Sequence, residues 1–411
     1  MTAGGSAANQ TQPRGSMFTA IQRYPSFRML WIGTVATNLG QWMQNIALSW
    51  YMLILTDSAF MVGMIAFAAG IPYLVVALPA GALIDRVDER KLLMVAQWAA
   101  MVVASLLAAL ILLDWAEPWH LIVAAGCNGT IMAVNQMVRQ TLVPGLVSRE
   151  HMANAVSLNS AGANAMRILG PSIAGVIIGA FGAGVCFVLQ AVALVGALLT
   201  TMRIAPLENV RTGIAPGGIL DGWFEIRKRP ALGSLILITA IPALLVFPYI
   251  QMMSVFARDV FDIGAGGLGI LMAASGVGAL TGALAAATMD RVQRKGRVVM
   301  MLTVIYCLAV AGFAVSPHPA LAMLGLMISG VTGSIFGSLT GALVLLLTEA
   351  RVRGRVMAIY TLTNGFTPFG ALAIGAASEA FGAPPAVGIA SALSALLTGI
   401  CVIFMTELRE T

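Results

Sequence analysis

The sequence predicts an all-α integral membrane protein, with twelve transmembrane helices in two pseudo-symmetric six-helix bundles. Three observations carry this. Apolar residues make up 59% of the 411 residues and charged residues only 10%, where soluble domains carry roughly a quarter charged. Mean hydropathy is +0.91. The rarest local pattern also occurs twice, as GALIDRVDERK over 81–91 and GALAAATMDRVQRKGR over 282–297, with Asp85 and Asp290 separated by 205 residues.

Apolar runs between charged or Gly/Pro punctuation give candidate spans at 28–55, 59–84, 91–113, 119–143, 153–180 and 184–203. Six more follow at 232–257, 265–289, 297–316, 319–347, 354–380 and 385–406. Each is long enough to cross a bilayer core. Short connections make neighbours antiparallel hairpins. The organisation is therefore an N-terminal tail over 1–26, bundles over 27–203 and 232–406, a linker over 204–231 and a tail over 407–411. The first 26 residues are polar, without the apolar core of a signal peptide, and are expected to form a flexible tail. In the linker, Leu220, Trp223, Phe224 and Arg227 to Arg229 predict a short amphipathic helix on the membrane surface.

Charge sets the orientation. Threading the spans with the N-terminus inside puts the loop Lys and Arg residues on one face, except Arg258. Arg258 shares the other face with Asp57, Asp114, Glu117, Asp259 and Asp262. Basic loops stay cytoplasmic, so both termini are expected in the cytoplasm. The net charge of +6 then needs no nucleic-acid partner. A second repeat supports duplication: Asn164, Gly170, Gly175, Phe181 and Gly182 recur 200 residues later as Asn364, Gly370, Gly375, Phe381 and Gly382.

The loop after the second span, with Gly81, Asp85, Arg86, Arg90 and Lys91, resembles the signature loop of the major facilitator superfamily. Its second copy, Asp290 and Arg291 followed by Arg294, Lys295 and Arg297, is looser and lacks a glycine four residues before the aspartate. A glycine near a helix end permits close packing, and a carboxylate at the membrane edge can pair across the two halves. These residues are therefore candidate gating latches, and Arg139, near the end of the fourth span, is a candidate partner of Asp85. In the fifth span, Gly170-Pro171-Ser172-Ile173-Ala174-Gly175 resembles the motif of exporter branches, with Ala174 replacing one glycine. Proline removes a helix hydrogen bond and small residues permit tight contact.

Over nearly the whole chain the sequence is similar to the enterobactin-exporter-like, or transmembrane secretion effector, branch. The stretches 27–56, 78–93, 139–175 and 353–360 carry that likeness. The resemblance implies a proton-driven efflux carrier for a siderophore, drug or metabolite-like molecule, monomeric and without cofactor, in a bacterial inner membrane. The alternative is an importer of a small polar nutrient such as a sugar, or a lysolipid transporter.

Polar stripes mark the expected cavity. On the first span, Thr34, Asn38, Gln41, Asn45 and Ser49 fall within about 80° of one another, with Gln44 about 60° further round. The fourth span aligns Asn128, Asn135 and Arg139, and the fifth aligns Ser160, Asn164 and Arg167. The seventh offers Tyr249, Gln251 and Ser254. Polar groups in hydrocarbon are costly, so such stripes face protein or a water-filled pathway. None of the 17 acidic residues lies clearly mid-span, with Glu379 the deepest outside the loops. Proton coupling thus rests on the resemblance. Cys127, Cys186, Cys307 and Cys401 lie singly in apolar runs, and no cluster suggests a metal site or an enzyme.

Overall fold

The computed structural model describes residues 18–84, 87–204, 219–289, 294–349 and 352–405. Regular structure among them is helical, because a helix satisfies its own backbone polar groups inside hydrocarbon. A short α1 (Thr19–Arg23), where a flexible tail was expected, precedes α2 (Pro25–Thr56), α3 (Ala59–Ile84), α4 (Glu89–Leu112), α5 (Pro118–Leu146), α6 (Met152–Phe181) and α7 (Ala183–Met202). After the linker come α8 (Ile219–Lys228), α9 (Pro230–Leu245), α10 (Tyr249–Val255), α11 (Gly264–Ala287), α12 (Lys295–Ala314) and α13 (Pro319–Leu347). The chain ends with α14 (Arg353–Leu362), α15 (Thr367–Phe381) and α16 (Ala383–Phe404).

Ten stretches among the described residues are long and apolar enough to span a bilayer, against twelve expected. The two that fall short have clear reasons. Helix α2 has ample length at 32 residues, but its amides dilute its hydropathy. The eleventh predicted span divides into α14, a 3-10 turn over Thr363–Phe366 and α15. Pro368 causes that division, since it has no N–H for the Asn364 carbonyl. The seventh span is also interrupted. Pro248 leaves the Leu244 carbonyl without its helical donor, and α9 gives way to α10 and a π-helical turn over Phe256–Val260.

Helix ends follow local chemistry. Proline opens α2, α5, α9 and α13, where its missing N–H costs nothing. Asp57, Asp114 and Asp262 follow helix ends in the left-handed region, which aspartate tolerates better than most side chains. Gly182 and Gly382 turn the chain at φ 84° and 87° between α6–α7 and α15–α16.

Packing repeats about a pseudo-twofold. In the first half α2 packs on α6 and α7, α3 on α5, and α4 on α5 and α7. In the second half α9 packs on α15 and α16, α11 on α13, and α12 on α13 and α16. Two helix pairs dominate the junction between the halves, α6 with α11 and α15 with α3. The duplicated glycines explain both levels. Gly170 lies against Leu39 and Trp42 of α2, and Gly370 against the freed Leu244 carbonyl of α9. A Cβ at Gly175 would overlap the Gly269 backbone, and one at Gly63 would overlap the Ala371 carbonyl beside Gly375. Residues 170 and 370 thus hold each half together, while 175 and 375 join the halves.

The linker helix α8 belongs to the second half. Its Ile226 is buried, Glu225 pairs with Arg229 at 3.0 Å, and Arg229 reaches Glu349 at 2.6 Å and the Leu347 carbonyl at 2.8 Å. Trp223 and Phe224 remain exposed, with Arg227 over the Trp223 ring.

Replacing Gly175 or Gly375 by Val is expected to cost about 1–3 kcal/mol of stability through overpacking. Gly196→Ala, where nothing lies within 4 Å of the new Cβ, is the control and should leave thermal stability unchanged. Melting of the purified variants checks both.

Candidate functional site

A cavity of about 220 Å³ lies between the halves. Gln41, Asn45 and Leu48 of α2 line it, with Ile65, Ala69, Gly70 and Tyr73 of α3 and Asn128, Gly129 and Met132 of α5. The second half adds Gln251 of α10, Asn364 of the 3-10 turn, and Thr367 and Pro368 of α15. Two close approaches shape its wall. Gly129 sits on the Ala69 backbone, and Gly70 sits against the Pro368 ring. The lining is amide, hydroxyl, thioether and hydrocarbon, with no Asp, Glu, His, Lys or Arg among the described residues. It can offer neutral donors and acceptors around an apolar body.

Of the residues predicted for the cavity, Gln41, Asn45, Asn128 and Gln251 line it. Asn38 is half-buried and donates to the Thr34 carbonyl one turn back at 2.8 Å. Gln44 is buried away from the cavity and accepts from the Gln190 amide of α7 at 2.5 Å. Asn135 is buried and accepts from Arg139 Nε at 2.8 Å. Tyr249 is buried with its hydroxyl 3.5 Å from Ser329. Asn164 and Arg167 are exposed on α6. Pro171 is buried inside α6.

Arg139 is spent on structure. Its guanidinium donates to the Thr34 and Thr37 hydroxyls and reaches the Leu30 and Gly33 carbonyls of α2, besides Asn135. A buried guanidinium demands this many acceptors, and here they tie α5 to α2. Arg90 caps the carbonyl end of α7, donating to Thr201 O at 3.3 Å and Met202 O at 2.5 Å. Gly81 lies in the last turn of α3. The remaining latch candidates, Asp85, Arg86, Asp290 and Arg291, lie outside the described residues.

Polar contacts between the halves cluster at the acidic rim. Arg258 donates to the Leu53 carbonyl at 2.7 Å and pairs with Asp57 and Asp259. Glu379 accepts from Ser58 Oγ at 3.0 Å and from the Phe60 N–H at 3.2 Å. The α2–α3 hairpin is thus held at both helix ends, a cation on the carbonyl end of α2 and an anion on the amide end of α3. Each charge matches the helix dipole it meets. At the basic rim, the Arg90, Arg139, Arg229 and Tyr24 hydrogen bonds each stay within one half.

The transmembrane secretion effector family model matches residues 16–411. The chain belongs to that family, a branch of the major facilitator superfamily. This membrane transporter is 25% identical to the staphyloferrin A transporter of Staphylococcus aureus over 84% of its own length and 87% of the relative's. It is 27% identical to the multidrug efflux pump Tap of Mycolicibacterium fortuitum, covering 95% of this chain and 98% of that one. It is 21% identical to the enterobactin exporter EntS of Escherichia coli, over 95% and 94% respectively. Among solved structures, the nucleoside transporter NupG superposes with TM-score 0.74 at 14% identity, over 93% of this chain and 99% of that one. A bacterial homologue of ferroportin in the inward-facing state gives 0.71 at 15% identity, over 93% and 98%. These likenesses establish the major facilitator fold.

The polar stripes of the transporter do not point to Tyr73 or Thr367, which sit in otherwise apolar or broken helices. Asn364 carries one signal, its repeat relation to Asn164. In a variant lacking the native cysteines, Gln41→Cys and Asn128→Cys are expected to react with a water-soluble maleimide. Gln44→Cys and Asn135→Cys should react at least tenfold more slowly, roughly the gap between exposed and buried thiols. Labelling rates decide it.

Proposed function

We propose that this chain is a secondary active exporter that works by alternating access as a monomer, with its basic rim and both termini in the cytoplasm of a bacterial inner membrane. The observation that carries the reading is the uneven closure of the junction. The glycine crossings and the Arg258 and Glu379 contacts gather toward the acidic rim, while the polar stripe of α6 lies exposed toward the basic rim. This is the arrangement of a carrier waiting for cargo from inside. The functions of the relatives, multidrug efflux and enterobactin export, support the outward direction.

The uncharged amide lining favours a small amphipathic or moderately polar cargo with hydrogen-bonding groups around an apolar frame. Proton coupling is part of the proposal through the family resemblance. The cavity lining itself supplies no carboxylate or imidazole for it.

Counterflow in proteoliposomes under an imposed pH gradient tests the mechanism. Flux is expected to follow the gradient and saturate; flux indifferent to the gradient would sink proton antiport, and channel-like conduction would sink the carrier.

Arg258→Gln and Glu379→Gln each remove one outer contact and should favour the state open at the acidic rim. The expected sign is faster labelling of Leu48→Cys from that side, by about 3- to 30-fold if each contact is worth ~1–2 kcal/mol. Unchanged rates would mean that these contacts do not gate the junction.

A further inference from the structure

The positions that line the cavity have counterparts across the pseudo-twofold, and one of those counterparts carries a charge. Pro368 of α15 packs on Gly70 of α3, and Ile168 of α6 packs on Gly276 of α11. Gly129 of α5 sits on the Ala69 backbone, and Gly330 of α13 sits on the Ser275 backbone. These paired contacts fix the equivalence of the two sides residue by residue. Asn364 and Thr367, which line the cavity, then correspond to Asn164 and Arg167. Asn128 corresponds to Ser329, whose hydroxyl lies 3.5 Å from that of Tyr249.

Arg167 points away from lipid. It lies near the middle of α6, exposed, and lacks a hydrogen-bond or ion-pair partner among the described residues. Among the exposed large apolar residues of α6, Leu169, Ile173 and Val176 lie about 120–180° from Arg167 on the helix, whereas Val156 near the basic end and Phe181 at the acidic end lie within about 40° of it. Asn164 is within about 20° of Gly175, the residue that crosses to α11. The Arg167 guanidinium is within electrostatic reach of Tyr306 of α12, which packs against Gly333 on the far side of the junction. A cation at this depth is costly in hydrocarbon, so it faces the aqueous gap.

We propose that Arg167 forms an anion-binding subsite opposite the neutral cavity, and that the cargo carries an acidic group, a carboxylate, phenolate or phosphate, besides its hydrogen-bonding apolar body. This rests on the exporter reading and narrows its substrate class. Arg139 cannot serve the same purpose, since acceptors of α2 and Asn135 already saturate it. The two lobes recognise different ends of one molecule: the amides of the first take its neutral groups, and the guanidinium of the second takes its charge.

The full-length protein in nanodiscs, titrated with dansylglycine and its neutral match dansylglycinamide, tests the subsite. Wild type is expected to bind the acid roughly 10- to 100-fold more tightly, the range of a charge-assisted hydrogen bond. Arg167→Gln should abolish that preference without weakening the amide, and Arg167→Lys should keep part of it. A second measurement needs no ligand. Asn164→Cys, in a cysteine-free background, should react faster with an anionic methanethiosulfonate than with a neutral one, and only while Arg167 is present. Equal binding of the two probes, binding of neither, or a rate ratio indifferent to Arg167→Gln overturns the anionic subsite and leaves the exporter reading standing. A thiol at 164 inaccessible from the basic side contradicts the exporter reading itself. Displacement of dansylglycine by acetylglycine or by lysophosphatidylglycerol, both of which support the subsite, then separates a soluble acid from a lipid headgroup.

Discussion

The molecule depends on two places where backbone meets backbone between its halves, Gly175 with Gly269 and Gly375 with Gly63. Helices in lipid gain little from hiding apolar side chains from one another, so close fit has to supply the attraction. Only residues without a Cβ allow such an approach. Both glycine pairs lie toward the acidic rim, so the closest approach of the halves is there. The same duplication that repeats the glycines makes the two pins equivalent, so the junction is balanced about its axis.

Within that symmetric frame the polar residues are not symmetric. The first half supplies the amides of Gln41, Asn45 and Asn128 from α2 and α5 to the cavity, while the second half supplies Gln251 of the interrupted α9–α10 segment, Asn364 of the 3-10 turn and Thr367 of α15. Breaks in the seventh and eleventh spans free carbonyls of the kind that continuous helices keep internal. The Leu244 carbonyl meets Gly370 closely, so an apparent defect becomes a packing surface. Charge is spent sparingly, with Arg90, Arg139, Arg229 and Arg258 each given carbonyls, hydroxyls or carboxylates.

Much of this was legible in the sequence, and the limits have physical causes. Spans, repeat and the α6 glycines could be read because hydrocarbon leaves few ways to fold and glycine is used where backbones touch. Gln41 and Gln44 illustrate where angular reasoning stops. About 60° round the helix, a sixth of a turn, separates them, yet one lines the cavity and the other pairs with Gln190, a partner 146 residues away. Tyr73 and Thr367 were invisible because neither belongs to a polar stripe. Arg139 looked like a gate residue, but only three-dimensional placement reveals that its donors are taken by α2. The acidic-rim contacts of Arg258 and Glu379 join residues 201 and 321 positions from their partners, a distance no local pattern encodes.

The connections at the acidic rim are brief: residues 57–58, 113–117, Gly182, 261–263, 315–318 and Gly382. Proteases, antibodies and docking proteins grip extended surface segments, and these turns give them little to hold. On that face the protein meets its surroundings almost as a bare membrane surface. In the exporter we propose, a molecule released at that face passes directly into solvent or the lipid edge, without a protein platform built from these loops to receive it.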